Sequence, residues 1–223
     1  MEAYHVLSTH PEGLRASSWA NTQYDLFSPH VTRFLQNLSS GNPHFERQFS
    51  EEELYGFLGH SEPLPAGKSA RQAHADALRE NLAEQMQVDL SGYSNSEMLD
   101  SIEYHVFPNA CFFPGIVIPL IYRFRPLGVD RCIHDILLLQ PKPENAEVPS
   151  PAPVERLDID EPYVSLDSFK ANRLSHVLDQ DTDNFKRQWA GIKASLKGTQ
   201  TLANYQEARI RHFHNTLDRY LQA

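Results

Sequence analysis

Ile116-Val117-Ile118-Pro119-Leu120-Ile121-Tyr122-Arg123-Phe124-Arg125-Pro126-Leu127-Gly128-Val129-Asp130-Arg131-Cys132-Ile133-His134-Asp135-Ile136-Leu137-Leu138-Leu139 is the stretch that decides the fold. Its two ends, 116–125 and 131–139, read as strands, and Pro126 to Asp130 reads as the hairpin loop between them. Ile102 to Phe107 supplies a strand ahead of this pair. Tyr24 to Leu38, where aromatic and β-branched residues mix with polar ones, supplies one or two more.

Helical patterns flank the strands. Ser50 to Gly59 and Lys68 to Gln87 read as helices, the second with Ala73, Ala77, Leu78, Leu82 and Met86 at helical spacing. Ser94 or Ser96 caps a short helix that reaches Leu99. Ser39-Ser40-Gly41-Asn42-Pro43 is a turn, and Ala3 to Thr9 suits a helix that Pro11 ends. Phe185 to Leu196 and Ala203 to Leu221 read as helices, the latter with a stripe of Ile210, Phe213, Leu217 and Tyr220. Residues 141–162, rich in proline and acid, form an exposed excursion between elements. Strands in the middle and helices at the ends predict an α+β fold, an antiparallel sheet covered by helices on one side.

The 223 residues suit one domain, 1–223, with a core large enough to need no disulfide or metal staple. A net charge of -9 with no long run of Lys or Arg argues against nucleic acid and anionic membranes as partners. Cys111 and Cys132 are too few for a disulfide scaffold or a four-cysteine zinc site, and are expected as reduced thiols in a cytoplasmic protein. No stretch approaches the ~18 apolar residues of a membrane helix, and the start shows no secretion signal.

The opening Glu2-Ala3-Tyr4-His5-Val6-Leu7-Ser8-Thr9-His10 carries the chemistry. Two neutral imidazoles on a short segment bind a borderline divalent metal, and a distant carboxylate would complete a facial triad for non-haem iron. His5 and His10 stand about 140° apart on a regular helix, so the pair fits a helix terminus better than one helical face. The distant carboxylate would come from Asp179-Gln180-Asp181-Thr182-Asp183-Asn184, a cluster that otherwise reads as the solvated start of a helix. Three ligands on one side of Fe(II) leave positions open for O2 and substrate.

In this order the residues resemble the mononuclear-iron domain of Rieske-type aromatic ring-hydroxylating dioxygenase α subunits. The start through Pro11 resembles the family's iron motif, and Tyr104-His105-Val106-Phe107-Pro108-Asn109 its Phe-Pro-Asn strand. Tyr122 to Gly128 resembles the strand and turn that follow, Asp179 to Asn184 the carboxylate-donating segment, and Tyr205 to His214 the last helix. The resemblance implies a helix-grip fold of the START/Bet v 1 type, with the sheet wrapped around a long C-terminal helix. It implies His5, His10 and Asp181 as iron ligands, with Asp179 and Asp183 as alternatives, and Glu2 as the acid bridging to a neighbouring subunit's Rieske cluster. Glu2 departs from the more usual aspartate. His105 is a candidate to line the substrate pocket; its alternative is a structural strand histidine.

The same resemblance implies O2 activation beside a hydrophobic or aromatic substrate, with electrons from NAD(P)H through a reductase or ferredoxin and a 2Fe–2S cluster. It also implies a homotrimer or α3β3 assembly. That cluster needs a Cys-x-His and a Cys-x-x-His pair together; Cys132-Ile133-His134 has the first spacing but no Cys-x-x-His accompanies it, so the chain is expected to be a catalytic portion, a truncated chain or gene fragment lacking its own electron entry. A metal-free carrier of apolar ligands is the alternative from another class. A zinc hydrolase is disfavoured by the lack of any hydrolase motif.

Overall fold

The computed structural model describes residues 22–38, 49–116, 118–139, 142–143, 145–169, 174–204 and 207–223, with only the backbone of 22–27. The expected helix at Ala3–Thr9, the turn at Ser39–Pro43, and Glu2, His5 and His10 lie outside these residues. Six strands form one antiparallel sheet in chain order: β1 Thr22–Phe27, β2 Val31–Gln36, β3 Ser101–Val106, β4 Ala110–Phe112, β5 Leu120–Pro126 and β6 Cys132–Leu138. Helices α1 Glu51–Phe57, α2 Ala70–Met86 and α3 Asn95–Leu99 lie between β2 and β3, and α4 Leu174–Ala194 and α5 Ala208–Leu221 follow the sheet. The fold is therefore α+β, compatible with the helix-grip architecture.

Alternation sorts the sheet into two faces. Across it, Thr32 pairs with His105, His105 with Cys111, Cys111 with Tyr122, and Tyr122 with Ile136. Phe34 pairs with Glu103 and Phe124 with His134, so these four share that inner face. The outer face carries polar links: Arg33 donates to the Tyr104 hydroxyl (3.0 Å), and Asp135 accepts from Arg123 (2.9 Å) and Arg125 (2.7 Å). One solvated face and one covered face is the usual state of an antiparallel sheet.

Helix α5 is fastened to the inner face and to the β1–β2 turn. Arg209 pairs with Glu103 at 2.9 Å and lies 4.4 Å over the Phe34 ring. Thr216 donates to the Pro29 carbonyl (3.0 Å), and the Phe213 ring meets His105 edge-on at 5.8 Å. Helix α4 reaches the same face further along, where Phe185 meets Phe124 edge-on at 6.5 Å.

The three helices between β2 and β3 bury two small cores, one around Leu90, Met98 and Leu99 and one around Leu54, Tyr55 and Ala73. Ser50 and Ser94 each cap a helix through a reciprocal bond with the glutamate three residues on, which resolves the Ser94-or-Ser96 choice for Ser94. Asp100, 1% exposed, closes the base of this insertion. It accepts a two-pronged Arg71 contact at 2.6 Å and 2.6 Å, the Leu38 N–H at 2.9 Å and the Ser96 hydroxyl at 2.7 Å.

Several expected boundaries move. The strand expected from Ile116 begins at Leu120. Pro119 has no N–H to give a ladder, and the Ile116 N–H is taken by the Glu97 carbonyl at 3.1 Å. The three-residue β4 was not expected, being too short to show a period. The Phe-Pro-Asn segment is mostly turn: Phe107–Pro108 is a cis peptide, and Asn109 clamps β5 by donating to the Phe124 carbonyl (2.8 Å) and accepting from its N–H (2.9 Å). Helix α4 starts at Leu174, eleven residues before Phe185, so the acidic cluster lies inside a helix and not at a solvated start. Helix α5 starts at Ala208, not Ala203.

Candidate functional site

The site lies where α4 approaches β5 through the Phe185–Phe124 contact. On α4, Leu178, Asp181 and Phe185 follow one another at three- and four-residue spacing and so share a face. Leu178 is buried and Phe185, itself half exposed, reaches Phe124 with one ring edge, so this stripe turns toward the sheet at its Leu178 end. Asp181 thus puts a half-buried carboxylate where packing alone would ask for an apolar side chain. Its charge acts on two inner-face residues, Tyr122 and His134.

The neighbouring acids are committed elsewhere. Asp179 accepts the Tyr163 N–H at 2.6 Å. Asp183 points to solvent and pairs with Arg187, one helical turn on, at 2.5 Å. Of the three acids named from the sequence, Asp181 is the one on the helix face that carries the buried Leu178.

The surroundings of Asp181 are aromatic. The His134 ring is stacked on Phe124 (4.4 Å, 10°) and met edge-on by Tyr122 (5.1 Å), and Tyr122 is met edge-on by Phe113 (5.4 Å). Burial pushes the Tyr122 phenol well up, with Asp181 adding to it, so the hydroxyl stays protonated. Burial pulls the His134 imidazole down to about 4, against the opposite pull of Asp135 and Asp181, so it is neutral near pH 7. His134 Nδ1 pairs with the Tyr163 hydroxyl at 3.2 Å, while Nε2 is buried without a partner among the described residues.

His105 lies on the same inner face but two strands away from Tyr122, about 10 Å at ordinary strand spacing. It packs under α5 against Phe213, and burial lowers its pKa. Between it and Tyr122, Cys111 is pushed up to about 12, chiefly by burial, and is an inert thiol. His134 and Tyr163 were not singled out from the sequence. The signal for His134 was available, since it alternates with Cys132, Ile136 and Leu138 on the inward register of its strand. Tyr163 had none, because it follows a proline-rich stretch with no periodicity.

An antiparallel sheet with helices laid over one face, and a carboxylate near aromatic rings beneath one of them, is an arrangement compatible with the helix-grip class. The chain matches the family model for the ring hydroxylating alpha subunit (catalytic domain) over residues 1–223, and it belongs to that family. No curated protein and no solved structure gave a significant match. Among the described residues no group of three His, Cys, Asp or Glu side chains converges to hold a metal, and no helix is long and apolar enough to cross a membrane.

Proposed function

We propose that this oxygenase-family domain hydroxylates an aromatic or other hydrophobic small molecule at a ferrous ion held by His5, His10 and Asp181. The observation that supports this reading is Asp181, a half-buried carboxylate on the same face of α4 as the buried Leu178, with Tyr122 and His134 in range of its charge. The donor chemistry fits the ion. Two neutral imidazoles and one carboxylate offset only half its charge and leave a face open. Bound iron would supply O2 activation, with electrons from NAD(P)H through a reductase and a Rieske 2Fe–2S cluster, to which Glu2 would be the link.

The chain's own residues do the rest. Asp181 is presented by a helix and not a loop, which limits its excursions. Phe113, Tyr122 and Phe124 give the substrate an apolar wall and keep water from the reacting face. His134 stays neutral and so adds no competing charge beside the carboxylate. His105, further along the face, would meet the far end of a long substrate. A homotrimer or α3β3 assembly would bring the electron donor alongside Glu2.

Anaerobic Fe(II) titration of the full chain, followed by desalting and iron quantification, tests the assignment. About one iron per chain is expected, and its loss in both His5→Ala and Asp181→Ala. Full iron retention by either variant rejects the ligand set.

A further inference from the structure

We infer that the exposed half of α4 receives the proline-rich segment 141–162 of a second copy of this chain. The inference concerns assembly and does not depend on the iron-binding reading above. From Phe185 onward every residue of α4 is exposed. Yet Phe185, Trp189 and Ile192 follow one another at four- and three-residue spacing, the pattern of a face that packs. Leu196, just past the helix end, extends the apolar stripe and is fully exposed. Beside Ile192 runs a shallow cleft of about 400 Å³, also lined by Gln188, Gly191, Ser195 and Gln200. A Cβ on Gly191 would meet nothing within 4 Å, so the cleft is open there to an incoming backbone.

Charge points to the occupant. Between Asp183 and Glu207 the sequence has four cations, Lys186, Arg187, Lys193 and Lys197, and no acid. The chain as a whole carries -9, so copies that meet through any other pairing of surfaces do so against their own charge. Segment 141–162 supplies the opposite sign, with six acids and two cations. One of the six, Asp160, meets Lys186 of its own chain at 3.0 Å, so this helix already accepts a carboxylate of that segment. The rest of the segment is unoccupied: residues 145–156 are all exposed and belong to no helix or strand, with Val148 at 79% and Val154 at 84%. Trp189 is exposed as well, so the segment does not cover the stripe of its own chain.

The shapes agree. Pro149, Pro151 and Pro153 favour an extended polyproline path between the two valines, which lowers the entropy lost on docking. Proline-rich segments of this kind dock in grooves lined by aromatic rings, and Trp189 with Phe185 offers one. Val148 to Val154 spans about 19 Å at about 3.1 Å per residue. Phe185 to Leu196 spans about 17 Å at about 1.5 Å per residue. With the valines at the two ends of the stripe, Glu147 and Glu155 fall just outside it. One then lies near Lys186 and Arg187, the other near Lys193 and Lys197. Each copy gives one segment and takes one, which is what a closed ring of copies requires.

Sedimentation of the full chain from about 1 μM to about 100 μM tests the contact. Wild type should associate reversibly in this range. Trp189→Ala should weaken that association about tenfold or more, as loss of a central aromatic anchor does. Two charge variants, Lys193→Glu with Lys197→Glu and Glu147→Lys with Glu155→Lys, alter exposed residues, so both should melt with wild type and fail to associate alone. Mixed with each other they should associate again, because the unaltered segment of one meets the unaltered helix of the other. If Trp189→Ala does not fold, the charge variants decide. A wild type that stays monomeric, charge variants that associate like wild type, or a mixture that stays apart each overturns the inference.

Discussion

Replacing Arg209 by methionine isolates the cost of fastening α5 to the sheet. Glu103 and Arg209 are each 17% exposed and 2.9 Å apart, and the guanidinium also lies 4.4 Å from the Phe34 ring. Burial alone would raise the Glu103 carboxyl; nearby positive charge, led by Arg209, offsets it, and the group ends below its ordinary range. In Arg209→Met the carboxylate stays buried with that partner gone, a situation that costs about 3–5 kcal/mol. It has one escape, to take up a proton. From an ordinary pKa of about 4.3, protonation at pH 7 costs about 3.7 kcal/mol, and at pH 5 about 1 kcal/mol, at 1.36 kcal/mol per unit. The lost ring contact adds about 1 kcal/mol at either pH. Urea unfolding of the full chain should therefore show a loss of about 4–5 kcal/mol at pH 7 that shrinks to about 2 kcal/mol at pH 5. Adding Glu103→Gln removes the orphaned charge and should recover most of the pH 7 loss. A loss below about 1 kcal/mol at pH 7, or one equal at both pH values, would refute the view of Glu103 as a buried charge held by Arg209.

Two other perturbations read separate parts of the fold. Arg71→Met leaves Asp100, 1% exposed, with the Leu38 N–H and the Ser96 hydroxyl as its described partners, and should cost about 3 kcal/mol in urea melts; no measurable loss would show that the insertion does not need this closure. The His60–His74 bond, 2.8 Å, joins the turn after α1 to α2, and burial first, then His60, lowers the His74 pKa. Because the folded value lies below the unfolded one of about 6.5, its contribution is complete above that pH and drains as pH falls toward the folded value. The melting temperature should fall as pH drops through about 6.5, and His74→Gln should flatten that slope; an unchanged slope would remove the pair from the acid sensitivity.

The fold was legible wherever a segment was long enough to show its period. β3, β5, β6 and α2 emerge from the sequence within a few residues, because alternation or helical spacing runs through each of them. β4 was not legible: its three residues gain their strand character only by pairing with β3 on one side and β5 on the other. The first turns of α4 were misread because Asp179, Asp181 and Asp183 look like a solvated start, whereas the helix tolerates them by giving each a different environment. Family resemblance put Asp181 forward from its neighbours in sequence; that it shares a helix face with the buried Leu178, unlike Asp179 and Asp183, is rotational and appears only once helix and sheet are brought together. Tyr163 was invisible for the same reason, since its contacts are with residues 16 and 29 positions away.

The strand order has a consequence for how the chain reaches this structure. Five residues, 127–131, separate β5 from β6, while 64 residues, 37–100, separate β2 from β3. Closing the longer loop costs about 2 kcal/mol more in chain entropy than closing the shorter one. The meander from β3 to β6 should accordingly form early, with the first hairpin docking late. The Arg71–Asp100–Leu38 cluster changes that arithmetic, because it pins both ends of the long excursion to one point. Once it has formed, β2 and β3 are neighbours whatever the excursion's length, and the neck becomes a place where evolution can lengthen, shorten or exchange the helical insert without shifting the sheet's register.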